Sequence, residues 1–471
     1  MSYRKRVNRY HSWGRYPSVQ PRGVKPVFWR HDLPNLSTSE HPVLPFGFGK
    51  SYGDSCLIEG GILLDVTPLN RFISFDEKKG ILRCEAGVSL AEILDVIVPR
   101  GWFLPVVPGT KFVSVGGAIA NDIHGKNHHN AGTFGCHVTR FELVRSSGRH
   151  VVCSPRKNGD LFQATIGGLG LTGLILWAEF KLKSISNPFI SQERIRFANL
   201  QEFFDISKQS DKEYEYTVAW IDCLAHGKNV GRGIFILGNH DDSENNLSKQ
   251  AKAKRNLRVP FDFPAICLNR YSMRAFNKLY YYSQFRKKIR KDVHYNPFFF
   301  PLDSIEEWNR IYGKRGFLQY QCLVPSDNEY KNIRQILTHC AGLGEGSFLA
   351  VLKKFGNILS PGLMSFPRAG TTLTLDFPFK GEKTLKLLED LDEIVRNSGG
   401  AVYPAKDARM TPESFQVYFP NWKKFENYID PKFRSRFWQR VTMSLNGVKH
   451  NEIIDRRRNV RNRTRDREAV C

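Results

Sequence analysis

His124, Lys126, His128 and His129 fall within a single short run, Asp122-Ile123-His124-Gly125-Lys126-Asn127-His128-His129. An imidazole accepts and releases protons near neutral pH, and a neighbouring amine adds positive charge, so the run has the makings of a proton-transfer site. His124 and His128 also invite a metal reading. Their spacing presents both rings to one ion only on a helix, and Gly125 and Asn127 disfavour a helix there. No carboxylate cluster follows to complete a ligand set, so no metal is expected. Histidines that merely shape a turn are the remaining alternative.

The run is embedded in small residues. Pro108-Gly109-Thr110-Lys111-Phe112-Val113-Ser114-Val115-Gly116-Gly117-Ala118-Ile119-Ala120 precedes it, and Gly132-Thr133-Phe134-Gly135 follows. Side chains this small let backbone pack against something flat and large. Two further segments share the character: Pro45-Phe46-Gly47-Phe48-Gly49-Lys50-Ser51-Tyr52-Gly53-Asp54, and Ile166-Gly167-Gly168-Leu169-Gly170-Leu171-Thr172-Gly173-Leu174. The first could form a nest of N–H groups around a phosphate, and Asp65 lies about where a dinucleotide fold places its ribose-binding carboxylate. That fold needs a helix directly after the glycines, and Gly60-Gly61 prevents one. One extended ligand lying along all three segments explains them better than three unrelated loops.

The elements that must hold these segments are mostly short strands. Gly61–Val66, Ile81–Ala86, Phe141–Val144 and Leu174–Phe180 read as β-like runs, with one helix expected from Ser89 to Val98 and stopped by Pro99-Arg100-Gly101. Beyond about residue 186 the pattern becomes mixed, with helices at 328–342 and 381–398 beside β-like runs at 348–353 and 371–377, which predicts a second, sheet-based domain with helices on one face. Residues 241–258 read as a polar surface loop, 270–300 interleave Lys/Arg with Tyr/Phe, and 456–467 form an arginine-rich solvated run.

The net charge of +24 calls for an anionic partner: nucleic acid, an acidic membrane surface or an anionic substrate. Hydrophobic residues at 41% exclude global disorder. Nine cysteines, scattered singly and without a CxxC pair, point to free thiols in a reducing compartment. No stretch suits a secretory leader or a membrane span, so a cytoplasmic protein is expected.

Taken together, G-F-G-K-S-Y-G-D, PGT-x5-GGAIA-x-DIHGKNHH-x-AG-x-FG and IGG-x-GLTG resemble the vanillyl-alcohol-oxidase-type flavoproteins with a PCMH-type FAD-binding domain. The DIHGKNHH string carries most of the specificity. The resemblance runs on through Ala219-Trp220-x-Asp222, Gly316–Gln321, Lys353-x-Phe355-Gly356, Asp376-Phe377-Pro378 and Ala405-Lys406-Asp407-x-Arg409, covering about residues 12–440. It implies an α+β, two-domain protein: an FAD-binding domain over 1–187, a substrate domain with a helix-covered antiparallel sheet over 188–400, and a return segment over 401–445, followed by a basic tail over 446–471.

The resemblance further implies an FAD cradle built from Phe46, Gly47, Phe48, Gly49, Lys50, Ser51, Tyr52 and Gly53, then Pro108, Gly109, Thr110, Val113, Gly116, Gly117 and Ala118. Asp122, Ile123, Gly125, Asn127, His128 and Gly132 would join it around the histidine turn, with Gly168, Gly173, Leu174 and Tyr403 beyond. Many relatives attach FAD through a histidine in the first glycine loop; Lys50 stands there, so FAD is expected to be non-covalent. The implied reaction is oxidation of the ribose C2 hydroxyl of a polyprenyl-phosphate sugar, His124 taking the hydroxyl proton and Lys406 supplying fixed positive charge. Lys126, Trp220, Phe300, Gln319, Gln321, Lys353, Phe355, Thr372 and Thr374 would line the substrate site. Phe300, Thr372 and Thr374 replace a tyrosine, an asparagine and a cysteine found in family members. A keto-reductase partner and an anionic membrane surface complete the implied setting, with a peripheral place on the inner face of the cell membrane.

Two other readings remain open. A flavoenzyme acting on a soluble aldonolactone or alditol keeps the cofactor and changes the substrate, though Lys50 in place of histidine weakens it. A nucleic-acid-binding protein would use the basic stretches, but no recognised nucleic-acid motif is present and the glycine segments go unexplained, so no nucleic acid is expected.

Overall fold

The structure is a computed structural model, and it describes residues 10–242 and 257–442. Strands β1 (Gly23–Pro26), β2 (Val43–Phe46) and β3 (Ile62–Asp65) form a parallel sheet in the order β1-β3-β2. A five-stranded antiparallel sheet follows, made by β4 (Phe72–Asp76), β5 (Ile81–Glu85), β6 (Val138–Val144), β7 (His150–Cys153) and β8 (Leu174–Lys181), ordered β4-β5-β8-β6-β7. Helix α1 (Leu90–Ile97) closes over it with Leu90, Ile93, Leu94 and Ile97 buried. Its start is a capping box: the Ser89 hydroxyl accepts from the Glu92 N–H, and the Glu92 carboxylate accepts from the Ser89 N–H. A 3₁₀ turn through Pro99 ends at Gly101, left-handed at φ 77°, where the Pro/Gly stop was expected. Helix α2 (Val115–Ala120) carries the second glycine segment.

The largest sheet has eight strands: β9 (Phe189–Phe197), β10 (Tyr216–Ile221), β11 (Gly233–His240), β12 (Lys288–His294), β13 (Phe317–Val324), β14 (Val351–Phe355), β15 (Gly370–Pro378) and β16 (Ala401–Val402). They lie in the order β12-β9-β11-β10-β14-β15-β13-β16, every pair antiparallel. Period-two alternation gives the sheet two characters. On β13, Leu318, Tyr320 and Cys322 join the core shared with α3 (Leu200–Ser210), α6 (Glu329–Leu343) and α7 (Glu382–Asn397), leaving Gln319 and Gln321 for the other face. On β15, Leu373, Leu375 and Phe377 enter that core, while Thr372, Thr374 and Asp376 share the face of the glutamines. The fold is therefore α+β, with helices on one face of the second sheet.

The basic-aromatic stretch is not a loop. It comprises α4 (Arg270–Ser283), β12 and α5 (Tyr295–Phe299). Most of the polar run at 241–258 and the arginine-rich tail lie outside the described residues.

After β16 the chain returns to the first glycine loop. Tyr52 N–H donates to the Ala405 carbonyl (2.9 Å), and a Cβ on Gly53 would sit 1.6 Å from the Asp407 carbonyl oxygen, so only glycine fits. Arg440, in helix α8 (Arg436–Thr442), donates to Asp54 (2.7 Å) and Asp407 (2.8 Å), both buried. Arg440→Met should strip both carboxylates of their shared partner and cost about 3–5 kcal/mol in a urea unfolding curve.

Candidate active site

A cavity of about 970 Å³ runs between the three glycine segments and the polar face of the eight-stranded sheet. Gly47, Phe48, Gly49, Lys50, Ser51, Tyr52, Pro108, Gly109, Thr110, Val113, Gly116, Gly117, Ile123, Gly125, Gly173, Leu174 and Tyr403 line it. So do His124, Lys406, Lys126, Trp220, Gln319, Gln321, Lys353 and Thr374.

The other expected residues stand behind the lining, for identifiable reasons. Phe46 and Ala118 are buried in packing, and Gly53 is pressed on Asp407. Asp122, at φ 41°, accepts from Gly135 N–H (2.9 Å), Ser360 (2.5 Å) and Ser365 (2.6 Å), anchoring the turn that presents His124. Asn127 donates to the Pro105 carbonyl (2.8 Å), and His128 packs on Phe355 (4.5 Å). Gly132 abuts Ile358 and Cys136, and Gly168 abuts Ala164. Phe300 caps α5, Phe355 backs both histidines, and Thr372 acts through Gln321.

Trp13, Asn121, Phe276, Tyr280 and Phe348 also line the cavity, and sequence reasoning missed them. Trp13 lies in an aperiodic lead-in and is placed by contacts that only the fold makes: its backbone N–H donates to the Ser51 carbonyl (2.8 Å), and Lys50 Nζ is 3.5 Å from its indole centroid. Phe276 and Tyr280 share a face of α4, a spacing of four that was there to be read.

The hydrogen bonds around His124 have a fixed polarity. Thr372 Oγ1 donates to the Cys322 carbonyl (2.9 Å) and so accepts from Gln321 Nε2 (3.2 Å). The same amide nitrogen lies 2.8 Å from His124 Nε2, which must then be the acceptor. This assigns the proton to Nδ1, a buried atom with no partner among the described residues. Burial, then the charges of Lys353, His128 and Lys406, hold His124 well below its ordinary pKa, so its ring is neutral.

Lys406 lies 3.7 Å from the Tyr52 ring centroid. Burial lowers its pKa to about 7 despite Asp376, and burial raises Asp376 to about 7 despite its bonds from Gln319 (2.6 Å) and Tyr312 (3.4 Å). Burial thus works against the positive charge expected of Lys406, and Asp376 works for it. Lys126 is lowered to about 7 and Lys353 to about 8, burial being the first cause in both.

The site fits a large, flat, polar-edged cofactor. A Cβ on Gly109 would meet no protein atom within 4 Å, so packing within the protein does not demand glycine at this cavity-lining position. His124 Nδ1 and Asn121 Oδ1, both on lining residues, are buried polar atoms with no partner among the described residues, as a polar-edged ligand would require. Among the described residues no cluster of His, Cys, Asp and Glu could hold a metal ion.

Residues 36–154 match the family model of an FAD binding domain. The chain is 36% identical over 406 residues to the decaprenylphosphoryl-β-D-ribose oxidase of Mycolicibacterium smegmatis, covering 83% of this chain and 86% of that protein. An uncharacterised Streptomyces coelicolor protein is 30% identical over 73% of this chain and 96% of its own length. Human Δ24-sterol reductase is 34% identical over 110 residues, 23% of this chain and 21% of that protein. Fold, cavity and matched domain define an FAD-dependent oxidoreductase. With 36% identity sustained over 83% of its length, the chain belongs to the decaprenylphosphoryl-β-D-ribose oxidase family.

The lowered lysines have a thermodynamic consequence. Above pH 7 the unfolded chain, with lysines near 10.5, binds more protons than the folded one, so stability rises with pH until the buried thiols, raised from 9, reverse the trend. The thermal midpoint should therefore climb between pH 7 and about 8.5, and Lys353→Met should flatten that climb, measured by scanning calorimetry.

Proposed function

We propose that this enzyme oxidises the C2 hydroxyl of a polyprenylphosphoryl-β-D-ribose to the 2-keto sugar. The convergence of His124, Gln321, Lys406 and Lys353 on one cavity, in a chain with that relative, supports the reading most directly. Bound FAD, held non-covalently since Lys50 stands in the first glycine loop, supplies a two-electron acceptor for the carbinol hydride. His124 takes the hydroxyl proton at Nε2 once a sugar hydroxyl displaces the Gln321 amide. Lys406, oriented by Tyr52 and Asp376, stabilises negative charge as it develops, and its conservation of charge is favoured by an anion nearby. Thr374 and Gln319 are placed to bond sugar hydroxyls. Domain boundaries at 187 and 400 belong to the same proposal, supported by the bonds that carry the segment after β16 back to the first glycine loop, and the boundary at 445 lies outside the described residues.

The 2-keto product is an intermediate suited to a keto-reductase partner that returns the hydride from the opposite face. A cytoplasmic setting with an anionic membrane surface suits a lipid-linked substrate. Around α4 the chain exposes Ile266 (80%), Leu279 (73%) and Phe285 (91%), interleaved with Arg270, Arg274, Lys278, Arg286 and Lys287. Basic and apolar groups in that mixture suit acidic lipid headgroups. No helix among the described residues is long and apolar enough to cross a membrane.

Anaerobic farnesylphosphoryl-β-D-ribose should bleach the visible flavin band, and denaturation should release the flavin; bleaching by an aldonolactone alone would transfer the reaction to a soluble substrate. Lys406→Ala should keep the flavin and lower the bleaching rate by about 100-fold or more. Replacing Ile266, Leu279 and Phe285 together by Asp should abolish sedimentation with phosphatidylglycerol vesicles while leaving bleaching by the short-chain substrate intact.

A further inference from the structure

Between β11 and β13 the cavity face of the eight-stranded sheet is graded from one strand to the next, while β9 and β12 beyond them add Gln192, Arg194 and Lys291. Ile236 on β11 and Val218 and Trp220 on β10 line the cavity with apolar surface. The neighbouring strand, β14, contributes Lys353, and the two beyond it, β15 and β13, contribute Thr374 and Gln321. Strands are spaced at about 4.8 Å, so an apolar zone, a cation and a hydroxyl-binding zone follow one another in steps the size of a few bonds. Register confirms that these side chains share a face: Trp220 pairs with Val351, Val351 with Thr374, and Thr374 with Gln321.

Lys353 differs from the cations around it. Lys354, next along β14 and on the opposite face, is ion-paired with Glu329. Lys353 makes no hydrogen bond or ion pair among the described residues, although its charge is felt at Lys126, His124, His128 and Lys406. Lys126, from the histidine turn, also has no carboxylate. Its Nζ donates to the Phe298 carbonyl and lies 4.6 Å from the Phe298 ring centroid, and its own carbonyl accepts from Thr217 N–H (2.9 Å) on β10. Two lysines that both line the cavity therefore stand at the boundary between the apolar and polar zones. Such a pair is costly unless an anion joins it. Lys406, by contrast, has Asp376 within its electrostatic reach.

We propose that Lys126 and Lys353 form the subsite for the phosphodiester group of a lipid-phosphate substrate, between a prenyl channel over Val218, Ile236 and Trp220 and a sugar site at Thr374 and Gln321. The proposal rests on the reading of the substrate given above, and it assigns these two lysines to the phosphate and not to the sugar. Two ammonium groups match the two non-bridging oxygens of a phosphodiester, and placing that anion there offsets the repulsion among the lysines.

The test uses the FAD-loaded full chain with two probes that lack the sugar, farnesyl phosphate and farnesol, their binding followed by tryptophan quenching. The wild type should hold farnesyl phosphate at least about tenfold more tightly than farnesol, a preference weakened by added salt. Lys353→Met and Lys126→Met should each bring the two probes to within about threefold, and Lys353→Arg should keep most of the preference, with flavin content and circular dichroism confirming the fold. Equal binding of both probes by the wild type, or a preference that survives in both Met variants, would overturn the subsite. Bleaching by farnesylphosphoryl ribose reports separately on the sugar reaction: phosphate preference without bleaching upholds the subsite and rejects that reaction, and bleaching without phosphate preference does the reverse.

Discussion

The site depends on one half-buried guanidinium. Arg440 reaches from the last described helix into the protein and binds Asp54, at the end of the first glycine loop, together with Asp407, the neighbour of Lys406. Three segments distant in sequence are thereby fixed at one point. A cation between two buried carboxylates is stable only when every partner is in place, so the cluster specifies geometry more than it adds stability. The Tyr52 ring and the Lys406 amine come into contact because their backbones are joined beside this cluster, by the bond from Tyr52 N–H to the Ala405 carbonyl.

From that point two surfaces face each other across the cavity, and they are built on opposite principles. The glycine side offers backbone and little else, which suits a ligand recognised by shape. The sheet side offers side chains in strict alternation, which suits a ligand recognised by chemistry. Asp122, held by three donors at an uncommon backbone angle, delivers His124 from the first surface to Gln321 on the second. The polarity of that meeting is decided further back, where Thr372 must donate to the Cys322 carbonyl.

Much of this was legible in the sequence, and the boundary of legibility is physical. The three glycine segments announced a shared ligand because small residues in β-flanked runs have few other uses. Strands such as Leu174–Lys181 and the capped helix at Leu90 followed from periodicity and end signals. The family resemblance supplied Gln319, Gln321, Lys353 and Lys406, which no local pattern singles out. What stayed hidden depends on tertiary proximity: Trp13 beneath Lys50, Arg440 between two aspartates, and the helix and strand inside 270–300, whose alternating Lys/Arg and Tyr/Phe masked an amphipathic pattern. The cost of burying the Lys406 amine among other amines was likewise invisible, because it appears only once the chain is folded.

The alternation of the capping sheet has an evolutionary corollary. Every wall residue from Lys353 to Gln321 shares its face only while the strands keep their register, and a shift of one residue would turn core leucines into the cavity and the glutamines into the core. Insertions and deletions inside these strands are therefore closed as routes to new substrates. Divergence must proceed by point replacement at alternate positions, as at Thr372 and Thr374, or by length changes in the connections at the sheet's ends, so that related enzymes should differ in the lettering of this wall while preserving its spacing.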